Sequence, residues 1–282
     1  MGKGSGKDRY VDIALPVPLD RTFTYRIPEG TSMPGTGARV VVPFGRRKMT
    51  GYVIRVSGPP PEDLAVREIA RIIDEPPLIT PGLMRLAERM AEYYVQPLGI
   101  VLRAVLPPAV KGSGRKPGTG ELAGRFPGEP ERPELSEEQA AAFAAVKEAI
   151  DTRSSGAFLL HGVTGSGKTE VYLRCIEEAL SGGRSAIVLV PEIALIPQST
   201  ARFQRRFGEQ VAVLHSRLTG PQRSTIWKRA STGDVKVVIG PRSAVFVPLG
   251  GIGVIVVDEE QDTSFKQDER PHYSAVTVAR WR

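Results

Sequence analysis

HGVTGSGKTEVYL, residues 161–173, governs how the rest of the chain reads. Gly162-Val-Thr-Gly-Ser-Gly167-Lys168-Thr169 fits G-x-x-x-x-G-K-[ST] at every position, the loop that cradles phosphates when it joins a strand to a helix. Both flanks suit that context. AFLLHG (157–162) reads as a strand, and KTEVYLRCIEEAL (168–180) reads as a helix stopped by Gly182 and Gly183. Backbone N–H groups from Gly162, Val163, Thr164, Gly165, Ser166 and Gly167 would wrap the β-phosphate of ATP, aided by the partial positive charge of a helix N-terminus. Lys168 would reach the β- and γ-phosphates, and the Thr169 hydroxyl would ligate Mg²⁺.

A phosphate loop needs a carboxylate at the end of another strand to hold the metal. GVIVVDEEQD (253–262) supplies one. Asp258 is expected to hold Mg²⁺ through water and Glu259 to polarise the attacking water. Gln139, 23 residues before Gly162, is placed to bond the adenine edge through its amide.

Outward from these motifs, residues 135–282 alternate apolar strands with amphipathic helices. SAIVLVPEIAL, VAVLH, VKVVIG and GVIVVDEE are the further strands; PQSTARFQRRF and PQRSTIWKRA lie on helices. Short apolar strands alternating with helices imply a parallel sheet covered on both faces, one RecA-like P-loop lobe. Residues 10–106 differ: VDIALPVPL, RTFTYRI, ARVVVPFG and TGYVIRVSG are β-rich runs divided by Pro and Gly turns. They precede a helix with Thr80 as N-cap, Pro81 at its first position, and Leu83, Leu86, Met90 and Tyr93 on one face. Between the two, residues 107–134 contain 12 Gly or Pro in 28 positions, a composition that cannot bury enough to order itself and reads as a flexible linker. The fold expected is α/β, with a small β-rich N-terminal domain, a linker and one lobe.

The balance of 38 Lys+Arg against 31 Asp+Glu gives +7, which suits a polyanionic partner. Seven basic residues (202, 205, 206, 217, 223, 228, 229) against Glu209 within 201–230 could track phosphates or form a solvated face. SFKQDERPHY (264–273) mixes Phe265, His272 and Tyr273 with Lys266 and Arg270; such aromatics either stack on bases or fold back on the domain. Cys175 is the single cysteine, so an internal disulfide is excluded, and its apolar neighbours make it a small buried residue. The three histidines have no metal-ligand spacing. No apolar h-region and no run of 18 apolar residues occurs, so a soluble, cytoplasmic chain without a membrane partner is expected.

GVTGSGKTEVYL, LVPEIALIPQ, VAVLHS, VVIGPRSAVF and VIVVDEEQDTSFKQ, in this order, resemble the primosomal protein N′ (PriA) family, the superfamily 2 DNA helicases of replication restart. ALPVPLDRTFTYRIPEG and VVVPFGRR resemble that family's N-terminal domain, which captures the 3′ end of a nascent strand at a fork. The resemblance covers residues 10–106 and 135–282. It implies ATP-dependent 3′-to-5′ unwinding, Mg²⁺, forked or single-stranded DNA with a 3′ end, primosome proteins and single-strand DNA-binding protein as partners, and a nucleoid-associated location.

It also implies that Phe23, Thr24, Tyr25 and Gly45 line the 3′-end pocket, and that Arg242, Phe265, Lys266 and Tyr273 contact DNA. Several positions depart from the family. Gln261 stands where His is usual, Thr24 where Asp is usual and Pro241 where Thr is usual; a winged-helix domain is reduced to 107–134. The family's second lobe, arginine finger and zinc-binding cysteines lie outside the chain, which therefore reads as a front half that binds ATP weakly without unwinding DNA. The alternatives are a non-enzymatic fork-end module with a vestigial ATP site, and an unrelated P-loop NTPase.

Overall fold

A computed structural model of the chain describes residues 9–61, 65–106, 132–163, 165–191 and 197–282, with side chains at 197–199 left aside. The described residues fall into two compact units, one within Met1–Ala109 and Gln267–Tyr273, the other within Val110–Lys266 and Ser274–Arg282. The expected linker, 107–134, lies outside the described residues except for 132–134.

The first unit is built on β1 (Tyr10–Ala14), β2 (Thr22–Arg26), β3 (Arg39–Phe44), β4 (Arg47–Ser57) and β5 (Arg71–Ile72). They form an antiparallel sheet in the order β2-β1-β4-β3-β5. Val11 and Ile13 of β1 interleave with Val40, Val42 and Val53 in its core; β-branched side chains suit such a pleated, covered surface. Gly45, at φ 59°, opens the two-residue turn joining β3 to β4, a left-handed position that favours glycine.

Helices α1 (Pro81–Tyr93) and α2 (Leu98–Val105) complete the unit. Thr80 caps α1 by accepting from the Leu83 N–H at 3.3 Å, and Leu83, Leu86 and Met90 are buried as their spacing requires. Tyr93 is a correction: it is 64% exposed, because the last turn of α1 runs past the surface it covers. A Cβ at Gly99 would fall 1.9 Å from the Leu15 carbonyl oxygen, so only glycine lets α2 approach β1's exit this closely.

In the second unit, β6 (Ser185–Leu189), β7 (Val211–Val213), β8 (Val237–Gly240) and β9 (Ile252–Val257) make an all-parallel sheet ordered β7-β8-β6-β9. Ala186, Ile187, Val188 and Leu189 are each at most 1% exposed. Successive strand residues face opposite sides, so both faces are covered. Around the sheet run α3 (Glu137–Thr152), α4 (Lys168–Ser181), α5 (Pro197–Phe207), α6 (Gly220–Thr232) and α7 (Ala275–Trp281). Leu173 and Ile176 of α4 and Phe203 and Phe207 of α5 pack on it. Cys175 is buried, and burial pushes its thiol up to about 11.

One expected strand is not formed. Residues 154–163 carry no strand, and Phe158 and Leu159 are 53% and 87% exposed. A run of apolar residues becomes a strand only against a ladder partner, and among the described residues the sheet ends at β9. No described helix is long and apolar enough to cross a membrane.

Candidate nucleotide and DNA sites

The phosphate loop leads directly into α4. Gly165 and Gly167 sit at φ 83° and 82°, and Gly167 is the left-handed N-cap of α4, a conformation that favours glycine. A Cβ at Gly167 would fall 2.4 Å from Gln139 Nε2. Lys168 is the first residue of α4, and its Nζ donates to the Gly162 carbonyl at 2.7 Å and the Val163 carbonyl at 3.2 Å. Thr169 follows it on the helix; Thr164 lies outside the described residues.

Gln139 is held at both ends of its amide. Its Oε1 accepts from the Ser136 N–H at 3.0 Å in the capping box that starts α3, and its Nε2 donates to the Ser166 carbonyl at 2.8 Å. Gln139 thus ties the start of α3 to the phosphate loop. Its contact in the structure is with loop backbone, and the adenine contact remains a proposal.

The acidic motif leaves the end of β9. The Asp258 N–H donates to the Leu189 carbonyl at 2.9 Å, which keeps it on the ladder with β6. Tyr172, one turn along α4 from Thr169, donates its hydroxyl to Asp258 Oδ1 at 3.3 Å. Burial raises the Asp258 carboxyl, the Tyr172 hydrogen bond opposes that, the Glu259 charge adds to it, and Lys168 lowers it. The net direction is upward. Burial and then the Asp258 charge hold the Tyr172 hydroxyl above its ordinary value, so it stays a donor. Glu259 takes φ 52°, unusual for a side-chain-bearing residue, and Gln261 Nε2 donates to its Oε2 at 2.7 Å.

The donor set fits a magnesium nucleotide. Glycines precede a helix N-terminus and Lys168 holds an ammonium against loop carbonyls, and the Thr169 hydroxyl and the Asp258 carboxylate would be the groups for the metal. Mg²⁺ usually keeps several waters and needs only one or two carboxylates besides phosphate. Among the described residues no group of three or more His, Cys, Asp or Glu could hold a metal by itself. Lys168 would exchange its carbonyl partners for phosphate oxygens, and Thr169 and Asp258 would hold the ion. The metal would supply charge neutralisation at the β- and γ-oxygens.

The residues expected to touch DNA are placed unevenly. Phe23 is half-buried, 5.2 Å from Phe44 in an edge-on pair, with the Arg21 guanidinium 4.9 Å above its ring. Gly45 is exposed beside Arg46, Arg47 and Lys48, and its carbonyl accepts from Arg67 at 2.9 Å. Strand alternation puts Thr24 on the face opposite Phe23. There Thr24 Oγ1 donates to Asp12 Oδ1 at 2.8 Å, and Arg55 Nε donates to Asp12 Oδ2 at 2.8 Å. The register sets Asp12 opposite both residues. Burial raises the Asp12 carboxyl, but hydrogen bonds led by Arg55 and Thr24 outweigh it and leave the group below its ordinary value.

Three expected contacts are corrected. Tyr25 is 5% exposed and its hydroxyl donates to the Pro43 carbonyl at 3.0 Å, so it belongs to the core. Phe265 and Tyr273 are 1% and 4% exposed and offer no stacking platform, whereas His272 is exposed. Lys266 is exposed. Arg242 donates to the Ser264 and Lys266 carbonyls at 3.2 and 3.0 Å, fixing that loop. The basic face also loses Arg206, whose side chain is 1% exposed between Glu177 at 2.6 Å and Glu170 at 3.1 Å. Arg202, Arg205, Arg217 and Lys228 remain exposed. The cross-strand Asp12 cluster and Tyr172 were not singled out from sequence. For Tyr172 the signal existed: it lies three positions after Thr169, on the same helix face.

A phosphate loop and an acidic strand end in one parallel-sheet lobe define a P-loop nucleotide-binding protein. Residues 136–279 match the DEAD/DEAH box helicase family, and the chain belongs to it. Residues 12–107 match the 3′DNA-binding domain (3′BD). The chain is similar to Replication restart protein PriA of Treponema pallidum, 40% identical over 97% of this chain and 42% of that protein. It is also similar to the proteins of that name from Haemophilus influenzae, 33% identical over 96% of this chain and 47% of that protein, and Bacillus subtilis, 50% identical over 51% of this chain and 18% of that protein. The chain therefore spans less than half the length of these relatives, and the resemblance to the replication-restart helicase family stands.

Proposed function

We propose that this chain supplies the 3′-end-binding domain and the ATP-binding lobe of an ATP-dependent, 3′-to-5′ DNA helicase of replication restart. The observation that carries the reading is the convergence of Lys168 and Asp258, 90 residues apart in sequence, on one site whose donors suit a magnesium nucleotide. The match of residues 12–107 to a 3′DNA-binding domain supports the substrate: forked or single-stranded DNA with a 3′ end. Gly162, Val163, Thr164, Gly165, Ser166 and Gly167 would cradle phosphate, with Gln139 at the adenine edge and Glu259 polarising water. Phe23, Thr24 and Gly45 would meet the DNA end, and Lys266 its backbone. Primosome proteins and single-strand DNA-binding protein are the partners, and the cytoplasmic nucleoid is the location this reading implies.

The test is ATP hydrolysis by the chain completed with the family's second lobe, measured with a fork bearing a 3′ nascent end and with blunt duplex. Stimulation by the fork, lost in Lys168→Ala, supports the motor. Absence of hydrolysis on either DNA, with fork binding retained, would favour an end-binding module whose ATP site is vestigial.

A further inference from the structure

The nucleotide site has a residue that touches neither phosphate nor metal in the reading above, yet joins the two metal-holding elements. Tyr172 sits in the second turn of α4, and its half-buried side chain packs against the core cluster that includes Leu173, Val188 and Val256. Packing of this kind fixes a ring's direction, because a core side chain occupies one rotamer. The hydroxyl at its end reaches Asp258 Oδ1 at 3.3 Å, across 86 residues of sequence. Thr169 lies three positions earlier on the same face of α4. One helix therefore carries a magnesium-binding hydroxyl and, one turn later, a phenol that holds the other magnesium-binding group.

We propose that Tyr172 is a positioning residue for magnesium: its hydroxyl orients the Asp258 carboxylate, so that Asp258 and Thr169 present their oxygens at a fixed separation. The inference rests on the magnesium-nucleotide reading of this site. An acceptor-only carboxylate leaves a strand end with a freely turning terminal torsion. A donor on one oxygen removes that freedom and leaves the second oxygen for the ion's water shell. Groups that orient metal-holding carboxylates in this way typically change metal affinity about 10–100-fold when removed. The 3.3 Å contact is long for an O–H donor, which puts Tyr172 at the low end of that range.

The experiment uses the whole chain, a fluorescent ATP analogue as probe and a magnesium titration, with a parallel series in EDTA. In Tyr172→Phe, the magnesium concentration giving half-maximal probe binding rises about tenfold, while probe affinity in EDTA and the melting temperature stay within error of the parent. In an Asp258→Ala background, Tyr172→Phe produces no further shift, since the acceptor it orients has been removed. The inference is overturned if the magnesium midpoint moves less than twofold in Tyr172→Phe. It is equally overturned if affinity falls as much in EDTA, or if the two substitutions add, because either marks a role in shaping α4 alone. Probe binding by the parent chain that ignores magnesium altogether would overturn the reading of the site itself, and the inference with it.

Discussion

The two units place their buried charge differently. Asp12, Arg39 and Asp74 are buried as whole residues in the N-terminal unit, while the lobe buries Ser185 and Thr200 in this way and, of its charged groups, the Arg206 side chain. Arg39 on β3 meets Asp74 in a two-pronged pair, Nε to Oδ2 at 2.7 Å and Nη2 to Oδ1 at 2.8 Å, with both side chains near 5% exposed. The lobe's nearest counterpart, Arg206 between Glu170 and Glu177, joins α5 to α4 and leaves the strands alone. An antiparallel sheet can host ion pairs between neighbouring strands. A parallel sheet covered on both faces is apolar throughout, so its polar chemistry moves to the strand ends, where Asp258 stands.

The sharpest way to break this comparison is to remove one member of a pair. Asp74→Ala leaves the Arg39 guanidinium buried without its carboxylate and should destabilise the N-terminal unit by about 3–5 kcal/mol. Urea unfolding of the whole chain should show an early transition for that unit with the lobe's transition in place. A loss under about 1 kcal/mol would mean the pair is not buried in solution.

Next in size is Lys168→Ala. Truncating a buried, hydrogen-bonded charge costs about 2–5 kcal/mol of binding, so affinity for the ATP analogue should fall on the order of 100-fold. Binding to 3′-ended DNA by the other unit should not change. A matching fall in DNA affinity would show that the two jobs are not separate.

Acid sharpens the comparison further. Asp12 in one unit and Glu177 in the other are both held below the ordinary carboxylate range. In each, burial pushes upward and is outweighed, for Asp12 by Arg55 and Thr24 and for Glu177 by Arg206. A depressed carboxylate stabilises the fold above its unfolded value, about 4, and that contribution disappears as pH falls through the lower folded value. Melting temperature should therefore drop between about pH 5 and pH 3, with Asp12→Asn and Glu177→Gln each flattening part of the slope. A slope that neither substitution alters would remove both groups from the account.

The smallest effect belongs to Tyr93. At 64% exposure, Tyr93→Ser should change stability by no more than about 0.5 kcal/mol, whereas Met90→Ala one turn earlier, at 0% exposure, should cost about 2–5 kcal/mol. Thermal melts of the two variants side by side decide it.

These contrasts explain what the sequence disclosed. Phosphate chemistry is carried by backbone shape at fixed local spacing, so Gly162 to Thr169 and the end of β9 were legible, as was the helix cap at Thr80. Arg39 with Asp74, Arg55 with Asp12 and Tyr172 with Asp258 lie 35, 43 and 86 residues apart, and only the folded arrangement of strands, loops and helix brings them together. The aromatics at 265 and 273 misled for a related reason. A ring near basic residues looks the same in sequence whether it faces solvent or the core. The run at 157–162 has strand composition, but a strand also needs a neighbour to pair with.

In the function proposed for this chain, one unit binds a DNA 3′ end while the other binds ATP. The most direct test is binding of the purified chain to a fork with a free 3′-OH nascent end and to the same fork with a 3′-phosphate, each with and without ATP. Tight binding that the phosphate abolishes, in Lys168→Ala as in the parent, is the predicted result. Equal binding to both forks would contradict it and leave only a basic surface beside a nucleotide site.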